Sequence, residues 1–441
     1  MGAVLTELFK RYAEGKDFGQ EAFMVGGTVR DMILGRPVKD ADIAVKGDIF
    51  EIGRSFADFS DGSFIVLDKD FGIVRVAKNN EYVDLCKMRG PSIQDDLADR
   101  DLTINAMAIP VLKLESLKPE AERESSNKII IDPFNGLNDL KYGIIRMVSE
   151  DNLISDPLRI LRVYRFSATL SFQIEVHTST AVRTHAALIR DAAVERIAEE
   201  LRHILMVDDS YSAIKQMEKD GLLLHVFPEL REFSIEVWNH CRQSYGYVEH
   251  ILRNLPLYFQ DRSKSLWDYF AEEYRQVCIK LSVLFQDAEI AEMISGRLRL
   301  SRKEVGFIRM ILARSDAVKT LTVDDRPAVA NLLRNNGDDI YALLIYALAT
   351  TRICQLSGDP LLTVARNIVA LYQDEFIPRR NNLPLINGND LIEEFGLSPS
   401  PAFREILSAI ELLVLEGKVT SRDEALRAAA EIMREKKLGT E

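Results

Sequence analysis

Cysteine is scarce in this 441-residue chain: Cys86, Cys241, Cys278 and Cys354 are scattered, with no CxxC pair among them. That excludes a cysteine-built zinc site and a disulfide framework, and it fits a reducing compartment. Long apolar runs are missing too. Nothing approaches the ~20 residues of a membrane span, and the amphipathic N-terminal stretch MGAVLTELFKRYAEGKDFG has no apolar leader region. A cytoplasmic protein with no membrane partner is expected. An excess of basic charge is the third absence. Lys and Arg number 56 against 68 Asp and Glu, a net charge of −12, which is the wrong sign for a surface that holds nucleic acid by bulk charge.

What is present is ordinary globular material, 47% apolar and 28% charged, enough for real cores and, by length, about three domains. AFMVGG, DADIAV, SFIVL, GIVRVAK and EYVDLCK read as strands, rich in β-branched residues and bounded by Gly, Asp or Lys. From about Ser155 the apolar residues recur at three and four, as in DPLRILRVYRFSATL and AAVERIAEELRHILM, and helix dominates from there. The fold class is therefore α+β: a head of strands mixed with short helices, then an all-helical body. Loop signals interrupt the body near Pro228, Pro327 and Pro378 to Asp390.

The densest chemistry lies in MVGGTVRDMILGRPVKDADIAV, residues 24–45. A strand runs into Gly26-Gly27, a helix starts near Thr28 and carries Arg30 and Asp31, and a second strand brings Asp40 and Asp42. Paired glycines at a helix start let backbone N–H groups approach an anion, which the helix dipole favours. Residues two apart on a strand point the same way, so Asp40 and Asp42 set two like charges on one face. A hard divalent cation such as Mg²⁺, which takes carboxylates together with substrate phosphates, relieves that repulsion. Asp84, in EYVDLCK, is a third carboxylate able to join them.

These residues resemble the polymerase-β-like nucleotidyltransferases, and more narrowly the class II (bacterial-type) CCA-adding tRNA nucleotidyltransferases and poly(A) polymerases. The family pattern G-G-x-x-R-D…G…D-x-D matches Gly26, Gly27, Arg30, Asp31, Gly35, Asp40 and Asp42. R-R-D-x-x-x-N-A matches Arg100, Asp101 and Asn105, with Asp99 in place of the first arginine. D-P-x-x-G-x-x-D-L matches Asp132, Pro133, Gly136, Asp139 and Leu140. E-D-x-x-R-x-x-R matches Asp156, Arg159 and Arg162, with Ser155 for the leading Glu, and E-R-I-x-x-E-L matches Glu195, Arg196, Ile197, Glu200 and Leu201.

The resemblance implies a tRNA 3′-end nucleotidyltransferase. It would add C (CC, or the full CCA) to immature tRNA from CTP and ATP without a nucleic-acid template, by two-metal nucleotidyl transfer that releases pyrophosphate. Asp40, Asp42 and Asp84 would be catalytic, with Mg²⁺ on Asp40 and Asp42. Gly26, Gly27 and Arg30 would hold phosphates. Arg100, Asp101 and Asn105 would hold the sugar and phosphates of the incoming nucleotide, Asp101 accepting from a ribose hydroxyl. Asp156 and Arg159, expected at i and i+3 of one helix, would read the base, and Arg162 would contact base or phosphate. An ionised Asp only accepts hydrogen bonds and an Arg only donates. Cytosine and adenine suit such a pair; uracil and guanine present a donor to Arg and a carbonyl to Asp.

Full CCA-adding relatives carry a flexible loop before the second motif. Here Met88 to Ala98 is short, which favours addition of CC only. Residues 222–320 resemble a degenerate HD domain. His240 stands at the first ligand position, but Gln286-Asp287 replaces His-Asp, and losing that imidazole argues against phosphohydrolysis. His240 and His250 then read as ordinary helix residues.

The expected divisions are a catalytic head at 1–145, a helical neck with the base template at 146–220, a degenerate HD-like body at 221–325 and a tRNA-binding helical tail at 326–441. No protein partner is expected. The alternatives are an A-adding enzyme or poly(A) polymerase using ATP, an HD-type hydrolase, or a non-catalytic RNA-binding protein. The net charge then translates into an acidic enzyme with a local arginine-lined cleft: Arg159, Arg162, Arg165, Arg183, Arg190, Arg196 and Arg202 crowd one stretch, and some should be intrahelix partners of Glu195, Glu199 and Glu200.

Overall fold

A computed structural model describes residues 4–38, 40–116, 129–322, 325–351 and 359–435; Cys354 lies outside them. The five expected strands form: β1 Ala22–Val25, β2 Asp40–Val45, β3 Ser63–Asp68, β4 Ile73–Lys78 and β5 Glu81–Lys87. Among them run the helices α1 Val4–Ala13, α2 Gly27–Ile33 and α3 Ile49–Ser60, with α4 Ile93–Ala98 beyond β5. A sixth strand, β6 Ala108–Pro110, was not expected; three residues carry no alternation to read.

The strands lie in the order β3-β4-β5-β2-β1-β6. The β2–β5 pair is parallel and its neighbours are antiparallel, so the sheet is mixed. The parallel seam sets the site. Its register places Asp42 opposite Asp84 and Asp40 opposite Tyr82, and because strand side chains alternate, all four share a face. Helix α4 is held to the sheet by Ile93 and Leu97, buried with Val25, Ala44, Met88, Ala106 and Ala108. On the other flank Phe9 of α1 meets Phe56 of α3 edge to face at 4.9 Å.

The chain divides into two compact units, residues 1–228 and 229–441. The first holds the sheet and three further helices that matter here: α5 Glu150–Ser155, α6 Leu158–Leu170 and α7 Val194–Leu205. The second is helical throughout its described residues, and none of its helices is long and apolar enough to cross a membrane. Within it α8 Ile235–Arg253 and α9 Glu273–Phe285 are joined by a buried ion pair, Lys280 Nζ to Glu249 at 2.8 Å. The Gln286-Asp287 doublet has a local structural role: Gln286 ends α9 at φ +50°, and the Asp287 carboxylate accepts from Ile290 N, capping the next helix. His240 and His250 both lie on α8. The expected break near Pro327 falls just ahead of it, between a helix ending at Thr320 and one starting at Arg326. Asp325 caps Arg326–Asn336 and Pro327 sits in its first turn, where its missing N–H costs nothing. The C-terminal helices enclose a core of their own around Leu391, Ile406, Ile410 and Ala429.

Candidate active site

Gly26 ends β1 at φ +67°, and a Cβ there would stand 2.7 Å from an Arg100 guanidinium nitrogen, so only glycine fits. Helix α2 begins at Gly27, and its Thr28 ties it to β2: the hydroxyl accepts from Asp42 N at 2.9 Å and donates to the Asp40 carbonyl at 3.3 Å. Thr28 is a site residue that the motif reading passed over. Asp40 is exposed at the first position of β2. Burial, and then the charge of Asp84, push the Asp42 carboxyl up to about 6. Asp84 is itself held by Arg75 of β4, which donates from Nε and Nη2 to its two oxygens at 2.7 and 2.8 Å. Arg75 lies on β4, outside every motif, and gave no signal of its own.

A chain of hydrogen bonds joins three of the motifs. Arg30 donates to Asp31 and, through Nη1, to Asn105 Oδ1 at 2.7 Å. Asn105 Nδ2 donates to Asp101 Oδ1 at 3.1 Å, and Arg162 Nε donates to Asp101 Oδ2 at 2.7 Å. Burial would raise the Asp101 carboxyl, but Arg162, Asn105 and the Leu102 N–H outweigh it and hold the group at about 2. Arg100 reaches Asp96 of α4 at 2.9 Å. Phe166, also unforeseen, carries three guanidinium groups around one ring: Arg165 at 4.2 Å, Arg30 at 4.9 Å and Arg162 at 5.3 Å from its centroid.

Asp156 and Arg159 do not share a helix, contrary to expectation. A residue before proline is driven out of the helical region, and Asp156, followed by Pro157, ends α5 in an extended conformation at φ −134°. Arg159 begins the first turn of α6 and donates to the Asn152 carbonyl at 3.2 Å. The Asp156 carboxylate accepts instead from Arg196 of α7 at 3.0 Å. The arginine partners of Glu200 are also not intrahelical: Arg165 at 3.0 Å and Arg162 at 3.7 Å both come from α6. Arg183 is occupied elsewhere, by Asp220.

The third motif braces the site from behind. The Asp132 carboxylate accepts from Gly136 N and Leu137 N, and Asp139 takes Thr103 Oγ1 at 2.7 Å and Arg146 at 3.0 Å. The segment between β5 and the second motif is built rather than loose. Ser92 and Asp95 form a capping box on α4, Arg89 N donates to Asp96, and the Arg89 guanidinium pairs with Asp99, the residue that departs from the family pattern.

These elements enclose a cleft of about 700 Å³ lined by Gly26, Gly27, Arg30, Asp42, Asp84, Arg100, Asp101, Asn105, Asp156, Arg159, Arg162 and Arg196 among others. Its lining counts eight Arg and Lys (Arg30, Lys87, Arg89, Arg100, Arg159, Arg162, Arg165, Arg196) against six Asp, the reverse of the chain's balance. A larger hollow of about 1100 Å³ near Leu383 and Phe403 offers no such convergence of charge. Among the described residues no three His, Cys, Asp or Glu side chains form a ready-made metal cage. Two mutually repelling carboxylates on adjacent strands nevertheless fit a hard cation whose remaining oxygens come from a nucleotide.

A mixed sheet with carboxylates abreast on adjacent strands, a Gly-Gly helix start beside them and an arginine-lined cleft above defines the head of a nucleotidyltransferase. Comparison with known proteins agrees. Residues 22–146 match the family model of the poly(A) polymerase head domain, residues 171–234 that of the RNA- and SrmB-binding site of polymerase A, and residues 275–430 that of tRNA nucleotidyltransferase domain 2. The chain is 29% identical to the CC-adding tRNA nucleotidyltransferase of Synechocystis sp. over 93% of its own length and 94% of the relative's. Identity to the CC-adding enzyme of Geobacter sulfurreducens is also 29%, over 98% and 96%. It is 37% identical to the A-adding enzyme of Deinococcus radiodurans, but over 51% of this chain and 49% of that one. A solved CCA-adding enzyme in complex with ATP superposes with a TM-score of 0.71 at 25% identity, over 100% of this chain and 96% of that one. The chain belongs to the class II tRNA nucleotidyltransferase and poly(A) polymerase family, whose nucleotidyltransferases are metal-dependent enzymes.

Proposed function

We propose that this enzyme adds C to the 3′ end of immature tRNA, twice in succession, taking CTP without a template and releasing pyrophosphate in the cytoplasm. The observation that carries the reading is the pairing of Asp42 and Asp84 across the parallel seam, beside the Gly26-Gly27 turn and inside the arginine-lined cleft. Asp40 and Asp42 are the residues to hold Mg²⁺, which supplies a lowered pKa at the attacking hydroxyl and charge stabilisation at the leaving pyrophosphate.

The protein's own work is positioning. Backbone amides at the start of α2, with Arg30 and Arg100, receive the phosphates. Asp101 already accepts three hydrogen bonds, from Leu102 N, Asn105 and Arg162. A carboxylate offers about four acceptor sites, so one remains, which suits a single ribose hydroxyl and favours NTP over dNTP. Asp156, fixed by Arg196, keeps acceptor capacity for an exocyclic amino group, while Arg159 donates to the ring acceptors of the same base. That pair accepts C and A and repels U and G. The restriction to CC draws support from the short, braced segment between β5 and Arg100 and from the CC-adding activity named for two of the near-full-length relatives, others of which are named CCA-adding enzymes.

The test is direct. Purified enzyme is given tRNA lacking its 3′ end, tRNA ending in one C and tRNA ending in two, each with single NTPs. Two additions from CTP and arrest are expected. Efficient addition of A after two Cs sinks the CC restriction, and unlimited addition from ATP makes the enzyme a poly(A) polymerase.

A further inference from the structure

One row of the catalytic face runs across three adjacent strands at a single register: Asp42 on β2, Asp84 on β5 and Arg75 on β4. The last two are bonded in the fork-to-fork manner, both Asp84 oxygens accepting from one guanidinium at 2.7 and 2.8 Å. Arg75 is held on a second side, its guanidinium carbon 4.7 Å from the centroid of Tyr82. Tyr82 stands two residues before Asp84 on β5, on the same face. Ring and carboxylate together clamp the side chain.

A guanidinium in this geometry takes one in-plane lone pair on each oxygen, two of the carboxylate's about four acceptor sites, and neutralises its charge. A divalent cation draws on the same two oxygens and the same charge. Asp84 cannot serve both fully. We propose that Arg75 is the resident competitor of the metal: in the free enzyme it holds Asp84 in the place a cation would take, keeps the cation affinity of the empty site low, and makes stable cation uptake depend on a nucleoside triphosphate that brings oxygens of its own. Arg75 acts through Asp84 and is a positioning residue. The inference rests on the reading of these carboxylates as a cation site.

Mn²⁺ binding to the full-length enzyme without RNA, followed by electron paramagnetic resonance of the free ion, tests it with and without CTP. Wild type should bind weakly alone and more tightly with CTP. Arg75→Gln should tighten binding in the absence of CTP by about tenfold, the order of one charge-assisted contact removed, and should flatten the dependence on CTP. Arg75→Lys keeps the charge but loses the fork, so it should move most of the way toward Arg75→Gln. If it behaves as wild type, charge at a distance is the cause and competition for Asp84 is refuted. Asp84→Asn should change Mn²⁺ affinity little in the wild-type background and should cancel the gain in the Arg75→Gln background. A large loss from Asp84→Asn alone overturns the proposal, as does unchanged binding in Arg75→Gln with a native circular dichroism spectrum. Should Asp42→Asn leave Mn²⁺ binding intact, the cation-site reading itself fails, a result separate from any outcome of the tRNA assay.

Discussion

Asp42 is stabilised for chemistry at the expense of the fold. Its carboxyl sits at about 6 because burial and Asp84 disfavour the charge, whereas in an unfolded chain it would titrate near 3.9. The folded state therefore binds the proton more tightly, and stability declines as pH rises from about 4 to about 6 and stays lower above that. Asp42→Asn should remove transfer activity yet raise the unfolding free energy of the metal-free protein at pH 8, measured by denaturant titration, by the order of 1–2 kcal/mol given its partial exposure, with no gain near pH 4. Asp101 runs the other way. Its carboxyl is depressed to about 2, so it contributes stability above its unfolded value that disappears as pH falls through about 2. Asp101→Asn should cost roughly 2 kcal/mol at pH 7 in denaturant titrations and nothing at the acid limit. Both aspartates were legible in the sequence because short motifs fix their spacing. Their partners were not: Arg162 reaches Asp101 from α6 and Thr28 reaches Asp42 from α2, just as Arg75 reaches Asp84 and Arg196 reaches Asp156, and nothing local in a sequence announces a contact made across the fold.

At the scale of elements, alternating β-branched segments were readable because period two is unambiguous over six residues, as in DADIAV and IVRVAK. The apolar periodicity around Ser155 was misleading in one respect. It is continuous through DPLRILRV, and the helix it suggests is broken by the single conformational demand of Pro157 on Asp156. That break lets the Asp156 carboxylate face the cleft beside Arg159. Pro157→Ala relaxes the restriction and allows α5 and α6 to merge. The expected result is a loss of discrimination between CTP and UTP of about tenfold, measured as a ratio of kcat/KM, with the circular dichroism spectrum unchanged. Equal discrimination in the variant would show that the break does not set the reader.

For the whole molecule, the charge of −12 and the inverted balance of the cleft make opposite predictions about salt. If the overall charge governed the encounter with tRNA, added salt would screen repulsion and tighten binding. Local arginine contacts with phosphates predict the reverse, because bound counterions are released. Affinity for tRNA measured by filter binding should fall at least about tenfold between ~50 and ~200 mM salt. The α+β division into sheet and helical body was open to reading from composition and periodicity. The strand order was not, since the parallel alignment of β2 and β5 is a choice between registers that side-chain patterns alone leave equivalent.

That alignment also orders events in time. The strands β3, β4 and β5 form a meander of adjacent antiparallel pairs, whose partners are close in sequence, while the seam between β2 and β5 joins residues about forty positions apart. Local hairpins close quickly and long-range parallel pairing slowly. The meander can assemble by itself, carrying Asp84 already gripped by Arg75, and become part of a catalyst only when it docks along β2. A refolding or newly synthesised chain would thus pass through an interval in which its secondary structure is mature and its two principal carboxylates have not yet met.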